Sequence, residues 1–590
     1  MNKTIETGKS SSKQSVGHKY SQPWFMIFCV LIIVICVLLS ITPIARLGHL
    51  YTGVTHLTED IATPPHFSPP AMPWLTGWGR WLPMHFTHSD PVALYLTGNM
   101  EILLLMAVAF VMYTLAAYFL ARRAQPEQMP ALRRWMWIGA IVAGLIFLLT
   151  PGMASRDLFV YADYGNLVGA HGANPYFTTP SQVAHDDLLT RIDGWNTAPS
   201  AYGPVWVYLA GALSLIFGNH LLAYFYIYRF LGLACHLLNA LLIGLILSKT
   251  GRSERTVTVG MFLYALNPLM LFEGPLGAHN DVFMSTLLLY GFFLCLRADQ
   301  RGFTQFKNYW PALIVLTLSV LVKFTAIPAI LFFLLVLAAK TLGTPETPVR
   351  EMPWLAAIKN VVIAGVVFVG ITVLAYLPFW IGHGVGEILH SFGTPPSSSG
   401  AQNSLMRVAM NWLQVHPTIT SNTPVGFMAH ALANRGFWSK VDIIAMGLAI
   451  LAGAWYVWRS PTMRTLVLGS LTTMTIILLV TPWFYSWYVV WLVALAPLTL
   501  AFVQGRLTKA LLAFCLVFSA SALLTYMNLV FFRFGGYQLG IRYFLMILPP
   551  IIAAILVYFY ARPKNSQPEK AVIADPTESM TSENAEIATK

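Results

Sequence analysis

The sequence predicts an all-α polytopic membrane protein with about 14 transmembrane helices. Three observations carry that prediction: a mean hydropathy of +0.63, a composition 56% hydrophobic and only 10% charged over 590 residues, and a succession of uncharged runs long enough to cross a bilayer. A soluble enzyme is excluded. The net charge of +12 does not point to nucleic acid, because the basic residues are dispersed in short turns between apolar runs and no nucleic-acid motif appears. All five cysteines (Cys29, Cys36, Cys235, Cys295 and Cys515) lie inside apolar runs without C-x-x-C spacing, so they read as small core residues rather than disulfides or thiolate metal ligands.

Taken in order, the first apolar run follows a polar tail carrying Lys3, Lys9, Lys13 and Lys19. It is too long for a signal peptide and reads as an anchor, with the tail in the cytoplasm. Later basic turns, "ARRAQPEQMPALRR", "KTGRSER", "RADQRGFTQFK", "RSPTMR" and "QGRLTK", belong on the same side by the positive-inside rule. That requirement decides how the two apolar runs near 204–217 and 221–247 are read. The first, at roughly 14 residues, falls short of the ~20 needed to cross, and is assigned to the outer interface. The spans then fall near 22–45, 97–120, 135–152, 221–247, 257–274, 281–297, 309–322, 325–340, 359–380, 440–458, 465–481, 485–503, 508–530 and 541–561, with both termini inside.

This gives a tail over 1–21, two N-terminal spans with their loop over 22–134, a membrane core over 135–561 and a polar tail, read as disordered, over 562–590. Three long segments face outside: 46–96, 153–220 and 381–439. The first is rich in Pro and Trp and the third holds "GTPPSSSGAQNSLMR", and both read as loops folded over the membrane face.

Topology also says which polar residues share a side. At the outer face stand Arg156 and Asp157, Asp163, the segment "GANPYFTTP" with Asn174 and Tyr176, Tyr202 in "AYGPVW", then Glu273, His279, Asn280 and Asp281 in "FEGPLGAHND", Lys323 in "VKFTAIP", and Trp483, Tyr485 and Tyr488 in "TPWFYSWY". A carboxylate, an imidazole, an ammonium and aromatic rings at one membrane face match what glycosyl transfer from a lipid-linked donor needs. The carboxylate serves as base for an acceptor hydroxyl, the cation meets the departing phosphate, and the rings lie against sugar. Simpler readings stand beside each: Asp157 as a helix cap or ion pair with Arg156, the His279–Asp281 group as the cap of the span near 281, Lys323 as a snorkelling side chain, the aromatics as an interfacial belt. Asp163 reads as structural. The pairs His85/His88 and His383/His390 read as loop histidines rather than a metal site.

The ordered series "RDLFVYADYGNLVGAHGANPY", "AYGPVWVYLAGALSLIFG", "NPLMLFEGPLGAHNDVFM", "VKFTAIP" and "TPWFYSWY" resembles the polyprenol-phosphate-mannose-dependent α-mannosyltransferases of bacterial lipoglycan synthesis, within the GT-C class of membrane glycosyltransferases. The resemblance covers roughly 135–500. It implies a GT-C-like fold with interfacial helices in the outer loops. The implied reaction is an inverting transfer from a polyprenyl-phosphate sugar to a glycan or glycolipid acceptor on the extracytoplasmic face. The donor would be a co-substrate and no cofactor or metal is called for. Asp157 falls where the class keeps its acidic residue in the first outer loop of the core, although here two further spans precede it. On this reading Asp157 is the base, with Asp281 its rival. Lys323, with Arg156 or His279 in reserve, meets the phosphate; Asn280 and Asp281 border the donor; and Tyr161, Asn174, Tyr176, Tyr202, Trp483, Tyr485 and Tyr488 contact sugar. A transporter is the competing class, but its site would sit near the midplane between paired repeats, and no repeat is evident.

Overall fold

A computed structural model describes residues 23–51, 91–150, 152, 155–184, 187–192, 194–343, 351–391, 400–502, 505–526 and 538–560. The tails over 1–21 and 562–590, and most of the first outer segment with His85 and His88, lie outside the described residues. Described in chain order, the longer helices are α1 (Trp24–Tyr51), α2 (Pro91–Arg122), α3 (Met129–Leu149), α4 (Asp157–Gly169), α5 (Pro204–Phe217), α6 (Leu221–Lys249), α7 (Glu254–Ala265) and α8 (Asn280–Arg301). They continue with α9 (Phe306–Val322), α10 (Ile327–Leu342), α11 (Trp354–Trp380), α12 (Leu405–Val415), α13 (Arg435–Arg459), α14 (Met463–Val480), α15 (Arg506–Ser521) and α16 (Gln538–Tyr560). Among the described residues there is no strand, only an isolated bridge between Gln402 and Trp483. The fold is all-α and polytopic.

Eleven helices among the described residues are long and apolar enough to cross a membrane, or twelve if α7 and the Pro268–Leu276 segment, bent by 50° at their break, form one span. The expectation of about 14 departs from this at two places. The run expected over 309–322 is the 17-residue α9, which Lys323 stops with an extended backbone. The run expected over 485–503 breaks into a 3-10 turn, a seven-residue helix and a second 3-10 stretch, tightened at Pro497. The segment expected not to cross, α5, is a helix of 14 residues, about 21 Å at 1.5 Å per residue, against a hydrocarbon core of about 30 Å.

Small residues bring together the elements that carry these polar side chains. α4 lies against α5 so closely that a Cβ on Gly165 would stand 2.4 Å from the Ala210 carbonyl oxygen, and one on Gly169 2.7 Å from that of Gly211. Gly203, which opens α5, donates its N–H to the Val322 carbonyl at 3.1 Å, and a Cβ there would meet the Leu321 oxygen at 2.0 Å. The helix that begins at Asp157 is therefore tied through α5 to the end of α9, next to Lys323. Burial also sorts the spans: 67% of the apolar window of α8 is buried against 6% of that of α13, so α8 is central and α13 peripheral.

Candidate active site

The buried guanidinium of Arg229 on α6 organises the approach to the site. It donates to the carbonyls of Phe147 and Thr150 at 3.3 and 2.6 Å, to that of Gly152, and to Leu276 at 3.1 Å. The end of α3 leaves carbonyls without intrahelical partners, and a cation answers both their hydrogen bonds and the negative end of the helix dipole. The same side chain thus holds the chain that leads to Asp157 against the segment that carries Glu273. That segment, Phe272–Leu276, is one turn of π-helix, with Gly232 of α6 so close that a Cβ on it would lie 2.4 Å from the Gly274 oxygen. Single π turns concentrate at functional sites because they turn one side chain out of the ordinary register. Two residues later Ala278 takes a left-handed backbone conformation, φ 55°, which costs a residue with a Cβ of the order of 1 kcal/mol.

These distortions place His279 between two carboxylates. Its Nδ1 is 3.5 Å from Asp157 Oδ2 and its Nε2 3.2 Å from Glu273 Oε2, and its ring stacks on Trp487 with centroids 4.2 Å apart. Tyr526 donates to both oxygens of Glu273, at 3.2 and 3.1 Å. Burial pulls the imidazole toward its neutral form, but the hydrogen bonds and charges of Asp157 and Glu273 outweigh it and push the His279 pKa up to about 9. The imidazolium therefore stands behind Asp157 as a fixed counter-charge. Asp157 is the first residue of α4, its N–H donating to Ser155 Oγ at 3.2 Å while Arg156 occupies the N-cap position. The cap reading of Asp157 is thus replaced by a contact across the fold.

A cavity of about 420 Å³ opens in front of it. Asp157, Tyr161, Tyr202, Asn280, Lys323, Trp483, Tyr485 and Tyr488, all singled out from sequence, line it. Asn280 is held by Tyr161, whose hydroxyl donates to Asn280 Oδ1 at 3.4 Å. The aromatic wall is held from outside by residues 402–404: the Gln402 N–H donates to the Pro482 carbonyl and the Phe484 N–H to the Gln402 carbonyl, both at 2.9 Å, and Asn403 and Ser404 donate to the carbonyls of Phe484 and Pro482 at 3.0 and 2.7 Å.

Other expectations are corrected. Lys323 does not wait for a phosphate to balance it: its Nζ donates to Asp281 Oδ1 at 2.7 Å, which also accepts from the Trp491 indole. Asp281 is buried behind the wall in that pair and does not line the cavity; nor does His279, which acts through Asp157. Neither Asn174 nor Tyr176 reaches the cavity. Asn174 donates to the Phe379 carbonyl at 2.5 Å, and Tyr176, packed on Tyr376 and Phe379, donates to the Tyr202 carbonyl at 2.9 Å, so both brace the loop from behind. Arg156 is absent from the lining. Asp163, read from sequence as structural, is buried and accepts from Thr190 at 2.9 Å. Sequence reading passed over Arg435 and Asp442, which line the cavity together with Trp487, and it named Glu273 without giving it a role. Arg435 and Asp442 lie seven residues apart, two turns along one face of α13, which was the available signal. Among the described residues no group of three or more His, Cys, Asp or Glu is arranged to hold a metal ion.

Residues 72–339 match the N-terminal-domain model of the alpha-(1->6)-mannopyranosyltransferases. Alpha-(1->6)-mannopyranosyltransferase A of Mycobacterium tuberculosis is 26% identical over 350 residues, 58% of this chain and 61% of that protein. A probable alpha-(1->6)-mannopyranosyltransferase of Mycolicibacterium smegmatis is 25% identical over 320 residues, 50% of this chain and 54% of its own. Alpha-(1->6)-mannopyranosyltransferase B of Corynebacterium glutamicum is 29% identical over 167 residues, 28% and 27% of the two chains. The chain thus spans between about a quarter and three fifths of the length of the relatives it matches. No solved structure matches. Over residues 72–339 the chain is thus similar to the alpha-(1->6)-mannopyranosyltransferases.

Proposed function

We propose that the protein transfers mannose from a polyprenyl-phosphate donor to a hydroxyl of a glycan or glycolipid acceptor, with inversion, at the extracytoplasmic face of the cell membrane, with both termini in the cytoplasm. The observation that carries this reading is Asp157: a carboxylate at the wall of an aromatic cavity, braced from behind by His279 and Glu273. Glycosidases need two carboxyl groups at the bond because an alkoxide leaving group must be protonated. A lipid phosphate leaves as a stable anion, so one base suffices. Asp157 takes the acceptor proton as the acceptor oxygen bonds to the anomeric carbon and the bond from that carbon to the phosphate oxygen breaks, the electron pair leaving with the phosphate. The rings of Tyr161, Tyr202, Trp483 and Tyr485 offer apolar faces and hydroxyls to hold the two sugars in line.

The test is direct. Purified full-length protein is incubated with radiolabelled polyprenyl-phosphate mannose, glucose and arabinose in turn, together with mannan acceptors. Transfer of mannose alone, lost in Asp157→Asn, is the expected result. Transfer that survives Asp157→Asn at the wild-type rate overturns the assignment of the base, and absence of transfer from every polyprenyl-phosphate sugar overturns the donor class.

A further inference from the structure

We propose that Arg435 and Asp442 form the seat for the phosphate of the lipid carrier, Arg435 donating to the phosphate and Asp442 making the seat prefer the singly charged diester donor to the doubly charged monoester product. This rests on the donor class proposed above.

Lys323, although it lines the cavity, is already engaged. Its ammonium donates to the Asp281 carboxylate at 2.7 Å. His279 is enclosed between Asp157 and Glu273 and does not reach the lining. Arg435 does. It is the first residue of α13, it lines the cavity, and its Nη1, out of contact with solvent, has no hydrogen-bond partner among the described residues. A buried N–H without an acceptor costs about 1–3 kcal/mol and is rare unless something else satisfies it. A planar guanidinium with donors to spare is the side chain best shaped for a phosphate.

Asp442 also lines the cavity, and its Oδ1 is likewise buried without a hydrogen-bond partner. The carboxylate lies two turns along the same face of α13 and offsets the charge of the guanidinium. The position suits an amphiphile. α13 is the least buried of the spans, with Ile443, Ile444 and Leu448 all more than 60% exposed, so the wall that carries Arg435 and Asp442 is the one that separates the cavity from lipid. The cavity side of the neighbouring α14 is apolar there, at Ile477 and Leu478. A prenyl chain held in the bilayer can therefore present its phosphate to Arg435 while its sugar reaches toward Asp157 on the far wall.

Charge then separates substrate from product. The donor phosphodiester carries one negative charge, and the product monoester acquires a second one near neutral pH. A lone arginine would hold the product more tightly than the donor. Asp442 beside it opposes the second charge, and the spent carrier is released.

The experiment uses full-length protein in detergent at pH 8, with farnesyl phosphate, its methyl ester and farnesol as probes, and quenching of the cavity tryptophans as the readout. Arg435→Gln is expected to weaken both phosphates about ten-fold or more and leave farnesol unchanged, with Arg435→Lys recovering part of the loss. Asp442→Asn is expected to tighten farnesyl phosphate more than its methyl ester, narrowing the preference for the ester. Wild-type affinity for farnesyl phosphate in Arg435→Gln overturns the seat, and so does an equal loss of farnesol, which would mean collapse of the cavity. An unchanged ester preference in Asp442→Asn overturns the role of that carboxylate. Mannose transfer is assayed separately. Phosphate-selective binding without transfer would refute the proposed function and leave the seat standing, whereas transfer with normal binding in Arg435→Gln would do the reverse.

Discussion

Replacing Glu273 with Gln removes one charge, keeps the side chain's shape and leaves an oxygen to accept from Tyr526. The consequence falls on His279. Its pKa of about 9 results from burial, which opposes the charged form, outweighed by Asp157 and Glu273, which favour it. Without Glu273 only Asp157 remains against the burial, and the pKa falls toward the ordinary value of about 6.5. If Asp157 needs the imidazolium to hold its orientation, turnover follows the charged fraction of His279. That fraction at pH 8 is roughly 90% for a pKa of about 9 and roughly 3% for one of about 6.5, so the loss at pH 8 reaches up to about 30-fold while turnover at pH 6 changes little. The assay is kcat against pH from 5.5 to 10 at saturating donor, in which the wild-type alkaline limb is expected near 9 and the variant's well below it. The same linkage predicts the sign for stability. A histidine whose pKa is raised on folding contributes stability that is fully present below about pH 6.5 and is lost as the pH rises through about 9, so the thermal midpoint should fall over that interval in the wild type and less in Glu273→Gln. An alkaline limb that stays near 9 in Glu273→Gln, or a loss equal at every pH, refutes the coupling of His279 to the base.

Much of the site was legible in the sequence because polar and charged groups at the ends of apolar runs stand out. Asp157, His279, Asn280, Asp281 and Lys323 were all visible in this way, and the structure brings all five to one region. Their pairing was not visible. Whether Lys323 answers a ligand or Asp281 depends on how α8 and α9 sit side by side, and hydropathy carries no information on that rotation. The helix ends were misjudged for a similar reason: an apolar run such as 485–503 has the composition of a span, yet its 3-10 turns shorten the helix without altering its hydropathy. Asn174 and Tyr176 lie in a Pro-rich loop that looks like a binding loop, but their polar atoms serve the backbone of Phe379 and Tyr202, as buried polar groups commonly do. Arg435 and Asp442 were passed over because each has a bland explanation, a helix start and a single charge in a span. Only their shared cavity gives them a joint meaning.

Three further outcomes follow from the same geometry. Asp157→Asn should lower turnover by about 10² to 10⁴ while donor binding, read by tryptophan quenching, is retained; a loss of binding as large as the loss of rate would make Asp157 a donor ligand. Gly203→Ala should lower the thermal midpoint and mannose transfer together, since a Cβ there stands 2.0 Å from the Leu321 oxygen and backbone must shift to admit it; a variant with unchanged midpoint would mean that α5 and the end of α9 are free to separate. The last concerns Lys323 and Asp281. Lys323→Met leaves the Asp281 carboxylate buried with only the Trp491 indole as partner, a loss expected to destabilise by about 3–5 kcal/mol. Asp281→Asn leaves the ammonium, still 17% exposed, able to turn toward the cavity, and should cost less. The double variant removes both charges, so its destabilisation should fall well short of the sum of the single ones. Thermal midpoints of the four proteins measure this. Additive losses would mean that the pair is not coupled, and would return Lys323 to the role of a cation awaiting the donor phosphate.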